Sequence, residues 1–347
     1  MLVSFVIPIY NGEKYLTKCI DSLINQDIES DDYEVICVDD CSSDSSVLII
    51  KQYQKTNKNI KLIENAQNLK TGSTCNVGLE NAQGEYVWFI GQDDWIEKKC
   101  LKNITQKCVG GDLNLMTFNY KRVDFEENDL HSADVFDNSA ITNGADYILT
   151  KFGNAFPHYL LGYEWRAIFN REFLKHKNIR FPDDVIYEDT TFLFKAILYA
   201  ERFRSISDFL YFYRVNSESI TDFNKKYKGN LVFEFAFKAG NEVLDLALKI
   251  KETHTDFSLV LLDMAKWYFN GFAHKVIAAS FSEKIKFYNN LSTNYDLVVK
   301  TRKYLRIIAY LLSIKLFGLT FSVFLKPFYL FKKKIFVRSK RKQEWSY

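Results

Sequence analysis

Short apolar runs alternate with amphipathic segments over the first 95 residues of the chain. The runs LVSFVIPIY, YEVICVD, NIKLIEN and EYVWFI predict β-strands, because they are rich in β-branched and aromatic residues. Between the first two runs, the segment EKYLTKCIDSLINQ places Tyr15, Leu16, Cys19, Ile20, Leu23 and Ile24 on one face of a helix. Strands that alternate with helices are joined by crossover connections, and their sheet is covered on both faces. The pattern therefore predicts an α/β domain with a mostly parallel central sheet.

Beyond residue 95 the pattern changes twice. Residues 96–225 mix strand-like runs such as LNLMTFNYKRVDF and FLYFYRV with helical runs such as TTFLFKAILYA. After residue 226 strand signals almost vanish and amphipathic helices dominate. We therefore predict one domain over residues 1–225 and a helical C-terminal region over residues 226–347.

Composition indicates a globular chain with an uneven distribution of charge. Apolar residues make up 47% of the sequence, and the net charge is only +3, which argues against a nucleic-acid partner. From residue 301 onward there are twelve basic residues and a single acidic one. This segment therefore carries a net charge of +11, and residues 1–300 carry −8.

The basic C-terminal segment is also apolar. Arg306, Lys315 and Lys326 divide it into apolar runs of about ten residues, whereas a membrane-spanning helix needs roughly twenty. We predict an amphipathic tail that lies on an anionic membrane surface. The alternative is a helical lid that packs on the rest of the protein and leaves its basic end in solvent.

Targeting and metal-binding signals are scarce. The N-terminal segment MLVSFVIPIYN has neither the basic lead nor the small-residue cleavage site of a signal peptide. The six cysteines and five histidines have no spacing typical of metal sites, and we expect the cysteines to be free thiols. With the basic tail, these features predict a cytoplasmic protein that is peripheral on the inner face of the cell membrane.

Pairs of adjacent carboxylates follow two of the predicted strands. Asp39 and Asp40 end the run YEVICVDD, and Asp93 and Asp94 come shortly after EYVWFI. Because the carboxyl ends of parallel strands meet at one edge of a sheet, we expect both pairs and Asn11 to share a crevice. Adjacent carboxylates repel each other unless a cation compensates, and Mg²⁺ binds one or two carboxylates together with substrate phosphates. Either pair alone could instead cap a helix, but two pairs in corresponding positions favour a site for a metal and a diphosphate.

Four segments of the chain resemble the motifs of one enzyme family. In order and spacing, the family 2 glycosyltransferases have motifs similar to VSFVIPIYNGEKYLTKCIDSLINQ, EVICVDDCSSDSS, NLKTGSTCNVGLENAQGEYVWFIGQDDW and YEDTTF. The resemblance covers residues 1–225. It implies the GT-A fold, a Rossmann-like and mostly parallel sheet with helices on both faces. It also implies a nucleotide-diphosphate sugar donor, a Mg²⁺ or Mn²⁺ ion and inversion at the anomeric carbon.

The resemblance also assigns residues to the donor. The implied donor-binding residues are Pro8, Tyr10, Asn11, Asp39, Asp40, Lys70, Asp93 and Arg214. Asp40, together with Asp39, matches the residue that contacts the base. Asp93 and Asp94 match the metal-binding motif, with Asp94 as the metal ligand and Asp93 facing the ribose.

One position departs from the family pattern. Family members often carry Arg before the Asn-x-Gly of the third motif, and this chain has Cys75 before Asn76. The cation near the base or the diphosphate is then missing or comes from elsewhere, for which Lys70 is a candidate. Arg214, in the run FYRVNSESIT, resembles a late family element beside the diphosphate, and Ser219 is a second candidate contact.

The acceptor side needs a base, because inversion requires deprotonation of the acceptor hydroxyl on the face opposite the leaving diphosphate. In VIYEDTTFLFKAI, Glu188 and Asp189 match the family's acidic motif, and Asp189 matches the base. The alternative is that both acids stabilise a helix N-terminus. GYEWRAIFNREFL looks like the family's acceptor segment, with Trp165 to stack on a sugar and Arg166 to bind phosphate. The alternative is a core aromatic residue and a solvated partner of Glu164.

Together, these motifs predict a metal-dependent inverting glycosyltransferase of the hexosyl or N-acetylhexosaminyl type. It would transfer a sugar from a nucleotide sugar to a lipid-linked glycan during the assembly of cell-surface polysaccharide or lipopolysaccharide. A sugar nucleotidyltransferase is an alternative, although PIYNGEKYLTK has one Gly where such enzymes carry a Gly-rich loop. A degenerate, membrane-associated scaffold is a second alternative, favoured by Cys75 and disfavoured by the intact Asp93, Asp94 and Asp189.

Overall fold

The structure is a computed structural model of the 347-residue chain, and it describes residues 1–133, 136–153, 163–183, 188–215 and 231–278. The chain divides into two compact units, one formed by Met1–Asp222 with Leu246–Leu261 and the other by Phe223–Asp245 with Leu262–Tyr347. The predicted domain boundary at residue 225 lies outside the described residues and stays a prediction.

Nine strands form one sheet in the described part of the first unit. They are β1 (Val3–Ile9), β2 (Tyr33–Asp39), β3 (Ile60–Glu64), β4 (Tyr86–Phe89), β5 (Trp95–Ile96), β6 (Leu115–Val123), β7 (Asp129–Ala133), β8 (Ala167–Asn170) and β9 (Phe203–Arg214). The strand order is β3-β2-β1-β4-β8-β6-β9-β5, and β7 pairs with β6. The first four strands of this order are parallel, as the alternation of strands and helices predicts. Strand β8 is antiparallel to both of its neighbours, so the sheet is mixed beyond β4.

Helices cover the sheet and connect its strands. They are α1 (Leu16–Ile24), α2 (Ser46–Gln54), α3 (Thr71–Asn81), α4 (Leu101–Gly110), α5 (Gly144–Phe152), α6 (Arg171–His176) and α7 (Glu188–Tyr199), with short 3₁₀ helices at Ser30–Asp32 and Glu164–Arg166. Helix α1 buries four residues of the predicted face, Leu16, Cys19, Ile20 and Leu23. Of the other two, Tyr15 is buried just before the helix and Ile24 is only partly buried. Helix α3 packs so closely on β1 that a Cβ atom at Gly78 would lie 2.2 Å from a methyl carbon of Val6.

The centre of the sheet is a rigid aromatic core. Trp88 on β4 packs against Phe5 on β1 and Phe118 on β6, with ring centroids 5.8 Å and 5.0 Å away, and all three side chains are fully buried. Burying a large apolar side chain stabilises a fold by about 1.5–3 kcal/mol. This core therefore fixes β1 and β4, whose carboxyl ends lead into the loops that carry Asn11 and the pair Asp93 and Asp94.

Beyond residue 230 the described residues form two helices, Leu231–Lys249 and Thr255–Ala278. Within the described ranges, no helix combines the length and the apolar character needed to cross a membrane. The basic tail over residues 301–347 lies outside these ranges, so its membrane contact and the peripheral location stay predictions. All six cysteines are free thiols, as predicted, and five of them are buried.

Candidate active site

Three loops lie at the carboxyl edge of the parallel part of the sheet. β1 ends at Ile9, which pairs with Asp39 at the end of β2. The Asp40 N–H donates to the Ile9 carbonyl at 2.7 Å, so the loops after β1 and β2 leave the sheet side by side. β4, on the other side of β1, leads into the loop that carries Asp93 and Asp94. Both carboxylate pairs and the loop after β1 therefore share one edge, as expected from the topology.

Hydrogen bonds tie the loop after β1 to the loop after β2. The Asn11 N–H donates to Ser42 Oγ at 2.9 Å, and Asn11 Oδ1 accepts from the Ser43 N–H at 2.8 Å. Asn11 has a φ of 50°, a left-handed conformation that Asn adopts more readily than most residues. Pro8 is partly buried in β1, and Tyr10 is 51% exposed. The loop after β1 carries predicted contacts to the sugar donor. Hydrogen bonds to the loop after β2 therefore hold its backbone in place.

The two carboxylates after β2 have different surroundings. The Asp40 carboxylate is buried and accepts from the Leu69 N–H at 2.7 Å and the Lys70 N–H at 3.0 Å, so it anchors the turn before α3. Asp39 is also buried, and its Oδ2 accepts from the Ser42 N–H at 3.0 Å. Its Oδ1 has no hydrogen-bond partner in the described part of the chain. Asp39 rather than Asp40 therefore keeps a carboxylate oxygen for a ligand, which reverses the order of preference predicted from the sequence.

Strand β9 holds the loop that carries Asp93 and Asp94. Asp94 is 3% exposed, and its two carboxylate oxygens accept from the Tyr211 phenol at 2.7 Å and from the Arg214 N–H at 2.8 Å. Burial raises the pKa of the Asp94 carboxyl well above its ordinary value, and the Asp93 charge raises it further. Asp93 is only partly buried. Of the two carboxylates, Asp93 is thus the more accessible to a cation, whereas the sequence predicted Asp94 as the metal ligand.

Arg214 is a rigidly held cation beside this pair. Its Nε–H donates to the Asp93 carbonyl at 2.9 Å. Its guanidinium lies 4.8 Å from the ring centroid of Trp95, 5.3 Å from that of Phe125 and 5.5 Å from that of Tyr15, so aromatic faces restrict it. A guanidinium that is fixed in this way suits recognition of phosphate.

The donor atoms of residues 91–94, which we call the aspartate loop, suit a divalent ion. In the described residues, no group of three or more His, Cys, Asp and Glu side chains could hold a metal by itself. Mg²⁺ and Mn²⁺ prefer carboxylate oxygens, and Mg²⁺ commonly takes only one or two of them and completes its shell with phosphates and water. A nearby cation would also favour the ionised form of the buried Asp94 carboxyl, whose pKa is raised. The arrangement therefore suits an ion that arrives with a diphosphate.

The predicted base lies in the first turn of α7. The Thr190 N–H donates to Asp189 Oδ1 at 2.8 Å. Burial raises the pKa of the Asp189 carboxyl to about 7. Burial also raises the pKa of Glu164 well above its ordinary value, and the charge of Asp189 adds to this effect. A carboxyl group with a pKa near 7 is suited to accept a proton at neutral pH.

Helix α3 sets the path of the chain toward α7. Asn76 Nδ2–H donates to the Phe181 carbonyl at 2.9 Å, and the Phe181 N–H donates back to Asn76 Oδ1 at 3.0 Å. Ser73 Oγ–H donates to Asp183 Oδ1 at 2.7 Å. The third motif therefore positions the segment that precedes Asp189.

Cys75 adds no cation to the site. Its thiol is buried, and burial raises its pKa well above the ordinary value, with smaller contributions from the charges of Glu164, Glu188 and Asp189. Lys70, the alternative cation, lies at the start of α3 with an exposed side chain. The position where family members often carry Arg is thus occupied by a neutral group next to three acids.

Trp165 and Arg166, the predicted acceptor-side residues, are both buried, and their role toward an acceptor stays a prediction. Trp165 is 7% exposed and is stacked on the ring of Tyr211, with centroids 4.4 Å apart, so its ring is covered by protein. The Arg166 guanidinium is buried and lies 4.7 Å from the Tyr120 centroid and 4.8 Å from that of Phe136. Burial lowers the pKa of Arg166 to about 10. The burial of Trp165 agrees with the alternative of a core aromatic residue, whereas the burial of Arg166 does not agree with a solvated partner of Glu164.

The positioning roles of Tyr211 and Asn76 are not identifiable from the sequence pattern. Tyr211 lies in β9, where buried and exposed residues do not alternate regularly, so the run FLYFYRV predicts a strand without indicating its faces. Asn76 stands out only as a neighbour of Cys75. Ser219, predicted as a second closing contact beside Arg214, lies outside the described residues.

Comparisons with known proteins agree with the motifs. Residues 4–176 match the sequence model of Glycosyl transferase family 2. The uncharacterized glycosyltransferase EpsJ of Bacillus subtilis (strain 168) is 28% identical over 222 residues, which are 64% of this chain and 63% of EpsJ. The poly(ribitol-phosphate) beta-glucosyltransferase of Bacillus spizizenii (strain ATCC 23059 / NRRL B-14472 / W23) is 31% identical over 229 residues, 63% of this chain and 33% of that protein. The matched part is thus less than two thirds of either relative.

The fold matches crystal structures of residues 1–349 of TarS from S. aureus. The complex with UDP-GlcNAc has a TM-score of 0.67 at 24% identity and covers 86% of this chain and 81% of that chain. The complex with UDP has a TM-score of 0.63 at 25% identity and covers 84% of this chain and 79% of the TarS chain. The predicted GT-A fold is therefore confirmed, and the chain belongs to glycosyl transferase family 2.

Proposed function

We propose that this protein is a metal-dependent inverting glycosyltransferase that moves a sugar from a nucleotide diphosphate to a hydroxyl group of a cell-surface glycan. The observation that carries the proposal is the aspartate loop. Asp93 is accessible, Asp94 is anchored, and the Arg214 guanidinium is fixed next to them. A partly buried carboxyl group with a pKa of about 7, Asp189, supplies the second requirement of the reaction.

The nucleotide is proposed to lie across the loops after β1 and β2. The buried Asp39 Oδ1 can accept a hydrogen bond from an N–H group of a base. Tyr10, which is half exposed, and Asn11 border the same edge. The related TarS binds UDP in its crystal structure, which supports a uridine donor here. Leaving Asp39 without such a donor would keep a buried carboxylate oxygen unpaired, which costs free energy.

The leaving diphosphate is proposed to bind next to Asp93 and Arg214. Asp93 would be the ligand of a divalent ion, with Asp94 behind it, and the bound ion would neutralise charge that develops on the diphosphate. Arg214 would donate hydrogen bonds to phosphate oxygens through its terminal N–H groups, while its Nε–H donates to the Asp93 carbonyl. Lys70 is a further cation at the rim.

The acceptor hydroxyl is proposed to lose its proton to Asp189. Asp189 Oδ1 accepts from the Thr190 N–H, so Oδ2 is the oxygen that would take the proton. Attack on the anomeric carbon opposite the diphosphate then inverts its configuration in a single displacement. Glu188 lies beside the base in the first turn of α7, and its charge would oppose further ionisation there.

A cell-surface polymer is the proposed acceptor class. Two relatives are named for poly(ribitol-phosphate), and GgaB is named for the biosynthesis of minor teichoic acid. A lipid-linked form of the acceptor, and a membrane contact through the tail of residues 301–347, remain predictions from the sequence. No observation in the described residues favours a sugar nucleotidyltransferase.

The proposal is tested by assaying the purified protein with UDP-glucose, UDP-GlcNAc and GDP-mannose, each with poly(ribitol phosphate) or an undecorated polysaccharide as acceptor. We expect transfer from one uridine donor, loss of transfer with EDTA and recovery with Mn²⁺ or Mg²⁺. The NMR coupling constant of the anomeric proton in the product reports inversion or retention. Transfer that is unaffected by EDTA, or a product with retained configuration, would contradict the corresponding part of the proposal.

A further inference from the structure

The hydroxyl group of Tyr211 forms hydrogen bonds with both ends of the aspartate loop. The Gly91 N–H donates to Tyr211 Oη at 2.9 Å, and Tyr211 Oη–H donates to Asp94 Oδ2 at 2.7 Å. One oxygen atom therefore bridges the first and the last residue of the segment 91–94. Tyr211 is completely buried, so water does not compete for these hydrogen bonds.

Tyr211 is itself fixed by the sheet and by an aromatic stack. It pairs with Ile96 of β5, immediately after the aspartate loop, and with Tyr120 of β6. Its ring is stacked on Trp165 with an angle of 13° between the planes. The position of the hydroxyl group is therefore set by the backbone of the sheet rather than by a flexible side chain.

Residues of β9 form hydrogen bonds with the side chain of Asp94 and with the main chain of Asp93. Asp94 uses one carboxylate oxygen for Tyr211 and the other for the Arg214 N–H, and its side chain is almost completely buried. Asp93 has its main-chain carbonyl bound by Arg214, while its side chain is partly exposed. Asp94 is thus held in place, and its position sets the direction of the Asp93 side chain.

We propose that Tyr211 is a positioning residue that acts through Asp94 to aim Asp93 at the cation and diphosphate of the donor. The inference rests on the proposed function and deepens it, because it adds a strand beyond the family-matched residues 4–176 to the donor site. The loop after β4 supplies Asp93 and Asp94, and β9 decides the geometry of this pair. A misplacement of about 1 Å at such a site can cost 10²-fold in rate.

The test compares two Tyr→Phe variants that lose a buried phenol and keep the ring. Tyr211→Phe removes both hydrogen bonds of the aspartate loop. Tyr86→Phe is the matched control, because Tyr86 is also buried, on β4, and its hydroxyl donates to the Cys108 carbonyl, at 3.0 Å, and not to the aspartate loop. The affinity for UDP is measured by calorimetry with Mn²⁺ and with EDTA, and backbone exchange is measured by hydrogen–deuterium mass spectrometry on peptides that cover residues 90–96.

We expect Tyr211→Phe to weaken Mn²⁺-dependent UDP binding at least tenfold and to accelerate exchange at Gly91–Asp94, while Tyr86→Phe changes neither. Equal losses of affinity in both variants would show a general effect of a lost phenol and overturn the inference. Unchanged affinity in Tyr211→Phe would also overturn it, whether or not the loop exchanges faster.

Failure of the proposed function gives a different result. If the unsubstituted protein binds UDP equally well with Mn²⁺ and with EDTA, the metal-dependent donor site is wrong. The exchange measurement still reports whether Tyr211 holds the loop. An unchanged exchange rate at Gly91–Asp94 in Tyr211→Phe would then remove the positioning role independently of any ligand.

Discussion

Replacing Asp189 with Asn tests both the base and its raised pKa. Asn has the size of Asp but cannot accept the proton of the acceptor hydroxyl, and loss of a general base commonly costs roughly 10²–10⁴ in rate. Donor binding should persist, because the residues proposed to hold the nucleotide are on other loops. We therefore expect kcat to fall by this factor while the Kd for UDP remains nearly unchanged.

The same variant should be more stable than the natural protein at alkaline pH. The Asp189 carboxyl titrates near its ordinary pKa of 3.8 in the unfolded chain and at about 7 in the folded protein. The folded state therefore binds the extra proton, so the stability contributed by this group is present below pH 3.8 and is lost as the pH rises to 7. Asn carries no charge at any pH and avoids this loss.

The size of the effect follows from the pKa shift. A difference of roughly three pKa units corresponds to about 4 kcal/mol above pH 7. Asp189 is only partly buried, so solvent screens part of this energy, and we expect Asp189→Asn to gain about 1–2 kcal/mol at pH 8.5. Near pH 4 the two proteins should have nearly equal free energies of unfolding.

The assays are urea unfolding at pH 4.5, 7 and 8.5 and a pH profile of kcat/KM. In the unsubstituted protein, activity should fall about tenfold per pH unit below 7, because only the ionised carboxylate is a base. Asp146→Asn is the control, since it removes an exposed carboxylate from the first turn of another helix, α5. Retained turnover in Asp189→Asn would remove Asp189 as the base, and a loss of stability at pH 8.5 would contradict the raised pKa.

Three further predictions concern the donor site and its support. Asp93→Asn should weaken Mn²⁺-dependent UDP binding at least tenfold in calorimetry with little change in the urea midpoint. Asp94→Asn should lower both the affinity for UDP and the urea midpoint, because an amide can accept at only one of its two positions. The opposite pattern would indicate that Asp94 is the metal ligand. Arg214→Lys should weaken UDP binding by about 1.4 kcal/mol, or tenfold, since Lys cannot reproduce the guanidinium bound to the Asp93 carbonyl, and an unchanged Kd would exclude Arg214 from phosphate binding. Asn76→Ala should lower the free energy of unfolding by roughly 2–3 kcal/mol, because it leaves the buried N–H and carbonyl of Phe181 unpaired, and a loss below about 0.5 kcal/mol would contradict this anchoring role.

Local patterns were sufficient for the first part of the fold. The apolar face of α1 is the predicted one, and β1 to β4 lie where the apolar runs predict them. Each of these features depends on residues that are close in sequence, such as the helical spacing of Leu16, Ile20 and Leu23. The convergence of Asp39 and Asp93 at one edge also followed, because parallel strands with crossover helices align their carboxyl ends.

The burial of individual side chains depended on distant parts of the chain. Trp165 was predicted as a sugar contact, but the ring of Tyr211 covers it. Asp40 was preferred over Asp39 for the base, but the backbone of the turn before α3 occupies its carboxylate oxygens. In both cases the partner is at least 29 residues away in sequence, beyond the range of local periodicity.

The sequence alone determined the family, the parallel half of the sheet and the acidic groups that can do the chemistry, since these follow from local spacing and strand direction. Only the tertiary structure decided which carboxylate oxygens remain available and which are anchored. The physical reason is that availability depends on hydrogen bonds between distant parts of the chain, above all those that Tyr211 and Arg214 donate to Asp94 from 117 and 120 residues further along the chain.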